Sequence, residues 1–285
     1  MCRHDFKYFR ILRLWRQVVG YSLAILVLAK IMGVNVGMSD VANAVMPITT
    51  NQYWFFTQYF ALFFTIPFLN KLMGTLSKKE IVVLLATGLG LLSVMPLFAG
   101  QDIFVTKWGY CYLWFIFLYC AGSAIYKLDL VGRVRSLYAT LGLVAGIAIS
   151  AIGAVGATYL PKLIGGGARV GDLAYSYTSP SLVLEAVALF VLFAKIEVKA
   201  PIWQKVITCL APGTFIVYVV HTNVIFRDMV GWPSAFLPLS ERSALSAIMG
   251  TSIIAFLIFA TISMIDVFRR LTLTWIMGVR LKLWK

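Results

Sequence analysis

The sequence predicts an all-α fold, a polytopic transmembrane helix bundle of about eight spans with both termini cytoplasmic. Three observations predict it. Of 285 residues, 61% are hydrophobic and 13% charged, with a mean hydropathy of +0.88, whereas a soluble domain is about 45–50% apolar and about 25% charged. Eight apolar runs approach the roughly 20 residues that cross ~30 Å of hydrocarbon at 1.5 Å per residue. Finally, when the segments flanking the runs are assigned alternately to two sides, most of the basic residues fall on one side.

The runs extend from Gln17 to Met32, Tyr53 to Asn70, Ile81 to Phe98, Trp108 to Tyr126, Leu137 to Leu160, Ser181 to Ala194, Val206 to Phe226 and Ala244 to Ile265. The sixth is short and carries Glu185, and Pro212-Gly213 interrupts the seventh. Assigning the connecting segments alternately to two sides places 19 of the 25 Lys and Arg with the N-terminus and C-terminus. Orientation follows Lys and Arg rather than net charge, so that side is cytoplasmic. A net charge of +14 and a pI near 9.8 would suggest nucleic acid in a soluble protein. Here the charge sits in short segments between apolar runs, where anionic lipid accounts for it, and no nucleic-acid partner is expected.

Residues 1–285 read as one integral membrane domain, with a basic cytoplasmic head (1–16) and a basic amphipathic cytoplasmic tail (267–285). The tail alternates Arg269, Arg270, Arg280 and Lys282 with Leu273, Trp275, Ile276 and Leu281, which suits a helix in the interface plane. No cleavable signal is visible, so the first span itself directs insertion. Cys2, Cys111, Cys120 and Cys209 show no Cys-x-x-Cys spacing, and neither a disulfide framework nor a metal site is expected. Gly165-Gly166-Gly167 lacks the Lys-Ser/Thr of a phosphate loop and reads as a turn.

Few residues can carry chemistry. His4 lies in the basic head and reads as solvated. His221 lies within an apolar run, where an ionisable side chain is costly unless it meets a cavity or a partner; a catalytic histidine and one hydrogen-bonded between helices both fit. Glu185 is the only acid well inside a predicted span. Its carboxylate could orient His221 or bind an acceptor hydroxyl, or simply reach back to the interface. Arg10, Arg13 and Arg16 recur every three residues along one side of a helix entering the first span. Three guanidiniums there could hold a diphosphate, and positive-inside anchoring would also produce them.

Four strings then resemble, in order, signatures of the family-three membrane acyltransferases. The first is Gln52-Tyr53-Trp54-Phe55-Phe56-Thr57-Gln58-Tyr59-Phe60 through Ile66-Pro67-Phe68-Leu69-Asn70-Lys71, with Leu76-Ser77-Lys78-Lys79 after it. The second runs from Leu113 to Gly122, the third from Tyr177 to Phe193 with Ser179-Pro180-Ser181 near its start. The fourth is Ala211-Pro212-Gly213-Thr214-Phe215-Ile216-Val217-Tyr218-Val219-Val220-His221. The match covers about Lys7 to Phe226 and is best for the branch that acetylates surface polysaccharides of bacteria.

The resemblance implies a multi-pass enzyme of the cell (cytoplasmic) membrane that moves an acyl group, usually acetyl from acetyl-CoA, to a hydroxyl of a surface polysaccharide or lipid-linked sugar. Acetyl-CoA would be the co-substrate, and the bilayer and the glycan or lipid-linked acceptor its other partners. By the same resemblance His221 closes the late Tyr-x-x-His motif as a catalytic residue, and Arg10, Arg13 and Arg16 belong to the basic segment that handles the donor's phosphates. Family members usually begin with two further helices, the first bearing an arginine and the catalytic histidine, the second ending in Ser-Gly-Phe or Ser-Gly-Tyr. This chain starts after both, so ten spans less two gives eight, and His4 does not stand at the missing histidine's place. The resemblance thus implies a chain short of its first two helices, or one to which a partner supplies them. Two other readings are a transporter-like protein for polysaccharide or lipid, which a buried His and Glu and a basic face would also suit, and an inactive truncated remnant. The pairing of Gly and Pro breaks expected of a transporter's inverted repeats is not seen among Pro67, Pro96 and Pro212.

Overall fold

A computed structural model describes residues 8–164, 176–231, 238 and 243–277. His4, the triple glycine and residues 278–285 of the basic tail lie outside the described residues. Every regular element described is helical. In order these are α1 (Arg10–Ile31), α2 (Met38–Val45), α3 (Trp54–Thr75), α4 (Lys78–Leu89), α5 (Met95–Ala99), α6 (Tyr112–Lys127), α7 (Leu130–Arg133), α8 (Ser136–Ile164), α9 (Pro180–Ala194), α10 (Pro201–Leu210), α11 (Thr214–Thr222), α12 (Val224–Met229) and α13 (Ala244–Met277).

Each predicted run falls on helical segments, the third on α4 and α5 and the seventh on α10, α11 and the start of α12. Among the described residues five helical segments are long and apolar enough to cross a membrane: Arg10–Ile31, Lys78–Ala99, Ser136–Gly156, Pro201–Thr222 and Ala244–Trp275. Of the other three, α6 has 16 residues and α9 has 15, while α3 has 22 but is diluted by Thr57, Gln58, Asn70 and Lys71. The outward faces of α8 and α13 are apolar, with Leu141, Val144, Ile147, Ile248, Phe256 and Leu257 all more than half exposed. A water-facing helix would carry polar groups there.

Sequence explains the breaks. Ser77 caps α4: its Oγ accepts from Glu80 N (3.3 Å) while the Glu80 carboxylate accepts from Ser77 N (2.7 Å), a reciprocal arrangement that satisfies two helix-end donors. Between α4 and α5 the helix widens to a π-turn over Gly90–Val94. Pro96 follows at once, and a proline that cannot donate to the preceding turn is relieved by that widening. Pro212-Gly213 lies in a single 3-10 turn, Ala211–Gly213, joining α10 to α11.

The chain forms two compact units. One holds Phe55–Glu197. Within it Met73, Ile81, Cys120 and Ala124 form one buried cluster, and Leu92, Trp114 and Phe117 another. Its most extensive helix contact is α8 against α9. Gly142, Gly146 and Ser150 recur every four residues on α8, small residues that admit α9 closely. A Cβ on Gly146 would stand 2.6 Å from Glu185 Cγ and 3.1 Å from the Ser181 carbonyl oxygen, whereas one on Gly142 would meet Leu184 Cδ1 at 3.6 Å.

The other unit joins Lys7–Trp54 to Val198–Lys285. Helix α1 packs on α2, α11 and α12, and α11 packs on α13. Ile25, Ile216, Val220 and Ile262 form its buried apolar cluster. Helix α13 runs unbroken from Ala244 to Met277, so Arg269 and Arg270 of the basic tail continue the spanning helix.

Candidate active site

The second unit carries polar groups at two levels. At the level of its α11–α12 junction stands His221, in the last turn of α11 with its side chain exposed. Its Nδ1 lies 2.8 Å from the Val217 carbonyl oxygen. A carbonyl only accepts, so Nδ1 carries the proton in the neutral ring and Nε2 keeps its lone pair. Tyr218 stands edge-on to the imidazole at 6.1 Å between centroids.

The helix ends two residues later. Asn223 is in extended backbone, and its Oδ1 accepts from Phe226 N at 3.1 Å, capping α12. Asn223 Nδ2 donates to Tyr53 Oη (2.8 Å), Tyr53 Oη lies 2.8 Å from Ser22 Oγ, and Ser22 Oγ donates to the Val18 carbonyl (2.8 Å). Since the Ser22 proton goes to Val18, Tyr53 donates to Ser22, and every member of this buried line is satisfied. Above it is a small cavity of about 100 Å³ with Asp40, Asn43, Gln52, Ser22 and Asn223 in its wall. Asp40 is engaged, accepting from Gly37 N at 2.9 Å as it caps α2.

At the Arg10 end of α1 is a groove of about 610 Å³, lined by Arg13, Arg16, Gln17, Gly20, Tyr21, Ala24, Arg269 and Leu273. Gly20 leaves open space beside the helix. Beneath the groove Asp266 is 1% exposed. Its Oδ1 accepts from Arg269 Nη2 (2.8 Å), Arg269 Nε (3.0 Å) and Tyr21 Oη (2.8 Å), and its Oδ2 from Arg270 Nε (2.9 Å). Arg270 Nη2 also donates to the Cys209 carbonyl at 2.5 Å. The buried carboxylate thus accepts four hydrogen bonds from three side chains, three of them charge-assisted.

The sequence-predicted residues therefore divide. His221, Arg13 and Arg16 belong to one unit, and Arg13 and Arg16 share the groove. Arg10 is exposed on the same helix and is not among the groove's lining residues. Glu185 belongs to the other unit, where Ser150 Oγ donates to its Oε1 at 2.7 Å; Ser150 lies 2.9 Å from Ser181 Oγ, itself 2.8 Å from Ser179 Oγ. Among the described residues no group of three or more His, Cys, Asp or Glu is placed to hold a metal.

Sequence reasoning missed Asp266, Arg269 and Tyr21. Ending the last span at Ile265 left Asp266 one residue outside it, though its spacing of three and four from Arg269 and Arg270 was a signal of helical ion pairs. Ser22, Tyr53 and Asn223 gave no such signal, being 31 and 170 residues apart.

A family model described as an acyltransferase domain, that of acyltransferase family 3, matches residues 6–268. No curated protein and no solved structure matches the chain.

Proposed function

Since the chain belongs to acyltransferase family 3, we propose that it is a membrane O-acetyltransferase. It would take acetyl from acetyl-CoA and place it on a hydroxyl of a surface polysaccharide or lipid-linked sugar. The proposed location is the bacterial cytoplasmic membrane, with both termini and the arginine groove on the cytoplasmic side.

The observation that carries this reading is the 2.8 Å contact between His221 Nδ1 and the Val217 carbonyl oxygen. With Nδ1–H anchored to Val217, Nε2 is available to take the proton of an attacking hydroxyl. The oxygen then bonds to the thioester carbonyl carbon, the C–S bond breaks, and the imidazolium returns its proton to the departing thiolate. Proton transfer by a placed histidine contributes about 10²–10⁴-fold. The cavity beside Asn223 supplies amide and carboxylate groups suited to sugar hydroxyls.

The donor end has its own support. Helix α1 starts with Arg10, Arg13 and Arg16 and has no acid in its first turn. Of these, Arg10 and Arg13 lie in the first turn, where a cation opposes the helix dipole at about 0.3–1 kcal/mol each, and like charges three apart repel one another. A bound phosphate reverses the sign of both effects. Glu185 takes no part in the proposed step, its carboxylate being engaged by Ser150.

The test is acetyl transfer by the full chain in membrane vesicles supplied with radiolabelled acetyl-CoA. His221→Ala and His221→Gln should each lower glycan labelling about 10²–10⁴-fold while the protein still inserts. Labelling that survives both changes, or its absence with the unaltered chain, would sink the proposal.

A further inference from the structure

We propose that Arg269 is a third guanidinium of the donor site, gripping the phosphates of the nucleotide donor together with Arg13 and Arg16, and that Asp266 is the positioning residue that aims it. This rests on the donor reading above and adds to it a residue 253 positions away from Arg16 in sequence. Arg269 lines the same groove as Arg13 and Arg16. Its side chain is 31% exposed, against 1% for Asp266, so it reaches from a buried anchor to an open edge.

The anchor is stiff. Two bonds from one edge of the guanidinium, Nε and Nη2, converge on Asp266 Oδ1. The same Nε lies 3.0 Å from Tyr21 Oη, and the guanidinium carbon stands 5.4 Å over the Tyr21 ring. Of the five N–H groups of an arginine, three are left without a protein partner among the described residues. A free arginine loses rotamer freedom when it grips a ligand; this one has already lost it. Charge points the same way. Arg269 and Arg270 together exceed the one charge of Asp266, and Arg13 and Arg16 add to that excess. A groove this basic takes a multiply charged anion, and phosphate oxygens match the guanidinium fork.

The probe is coenzyme A, with its dissociation constant measured for the full chain in nanodiscs of neutral phosphatidylcholine. Arg269→Lys keeps the charge and loses the fork; it should weaken binding about tenfold or more. Asp266→Asn separates charge from position, because it makes the groove more basic while releasing Arg269. If Asp266 merely offsets charge, coenzyme A binds the Asn variant more tightly; as a positioning residue, its loss weakens binding about tenfold or more, and in transfer assays raises KM for the donor while kcat holds. Unchanged or tighter binding by Asp266→Asn overturns the proposal. So does unaltered coenzyme A affinity in Arg269→Lys accompanied, in a second set of nanodiscs doped with phosphatidylglycerol, by lost retention of that lipid, which would make the ligand a lipid headgroup. Arg13→Ala keeps the two readings apart: if it weakens binding and Arg269→Lys does not, this inference fails alone, and if neither does, the donor reading fails with it.

Discussion

Gly146→Ala and Gly142→Ala form a matched pair that tests how closely α8 and α9 must approach. Both replace glycine by alanine within one helix, so both gain the same helix propensity, about 0.8–1 kcal/mol. They differ only in what the new methyl meets. At Gly142 it would touch Leu184 Cδ1 at 3.6 Å and Ala188 Cβ at 3.9 Å, ordinary contact distances. At Gly146 it would lie 2.6 Å from Glu185 Cγ and 3.1 Å from the Ser181 carbonyl oxygen, and the second atom is backbone that no rotamer change can move. Relief requires α9 to back away, which stretches the Ser150–Glu185 bond of 2.7 Å. Overpacking of this kind costs about 1–3 kcal/mol. Subtracting one variant from the other cancels propensity and leaves that cost, an expected difference in melting temperature of about 2–12 °C. The assay is thermal unfolding of the full chain in one detergent at one scan rate. Adding Glu185→Ala to Gly146→Ala removes the nearer obstacle and should recover part of the loss, a coupling visible in the double-mutant cycle. Equal melting of the two single variants would refute the close approach.

Tyr53→Phe keeps the ring but takes the hydroxyl from between Asn223 and Ser22; a loss of about 1–3 kcal/mol is expected from the orphaned amide, read as a lowered melting temperature, with Ser22→Ala nearly additive only if the line is not a unit. Asp102 accepts from Thr106 N (2.8 Å), Thr106 Oγ1 (2.7 Å) and Lys107 N (2.6 Å), holding a segment in which Val105, Lys107 and Trp108 all have positive φ. Left-handed backbone at such residues costs about 1–2 kcal/mol each, so Asp102→Ala should release it. Trypsin should then cleave after Lys107 about tenfold faster or more, and unchanged cleavage would show that Asp102 is not what holds the turn.

Helices were legible because membrane spans are written locally. About 20 apolar residues in a row are a sufficient signal, since within a bilayer a chain must satisfy its own backbone. All eight runs lie on helices, and the Pro212-Gly213 break lies in the single 3-10 turn between α10 and α11. Helix ends were less legible: the last apolar run stops at Ile265, before Asp266, Arg269 and Arg270, whereas α13 continues through all three to Met277. Charges paired three and four residues apart along one helix do not end it. The interleaving of the chain, with Lys7–Trp54 joined to Val198–Lys285, has no local signature at all.

Sequence by itself determined the class of protein, the family, the helical runs and the residue types capable of chemistry. These depend on hydropathy and on short ordered strings, which survive without knowledge of neighbours. Only the tertiary structure decided which of those residues lie side by side. It lined one groove with Arg269, Arg13 and Arg16, and bonded Glu185 to Ser150 where α8 and α9 meet. Hydrogen bonds and ion pairs act over about 3 Å, whereas Tyr21 and Asp266 are separated by 245 residues of chain. Distances of that kind are created by helix packing and are absent from any local stretch of sequence.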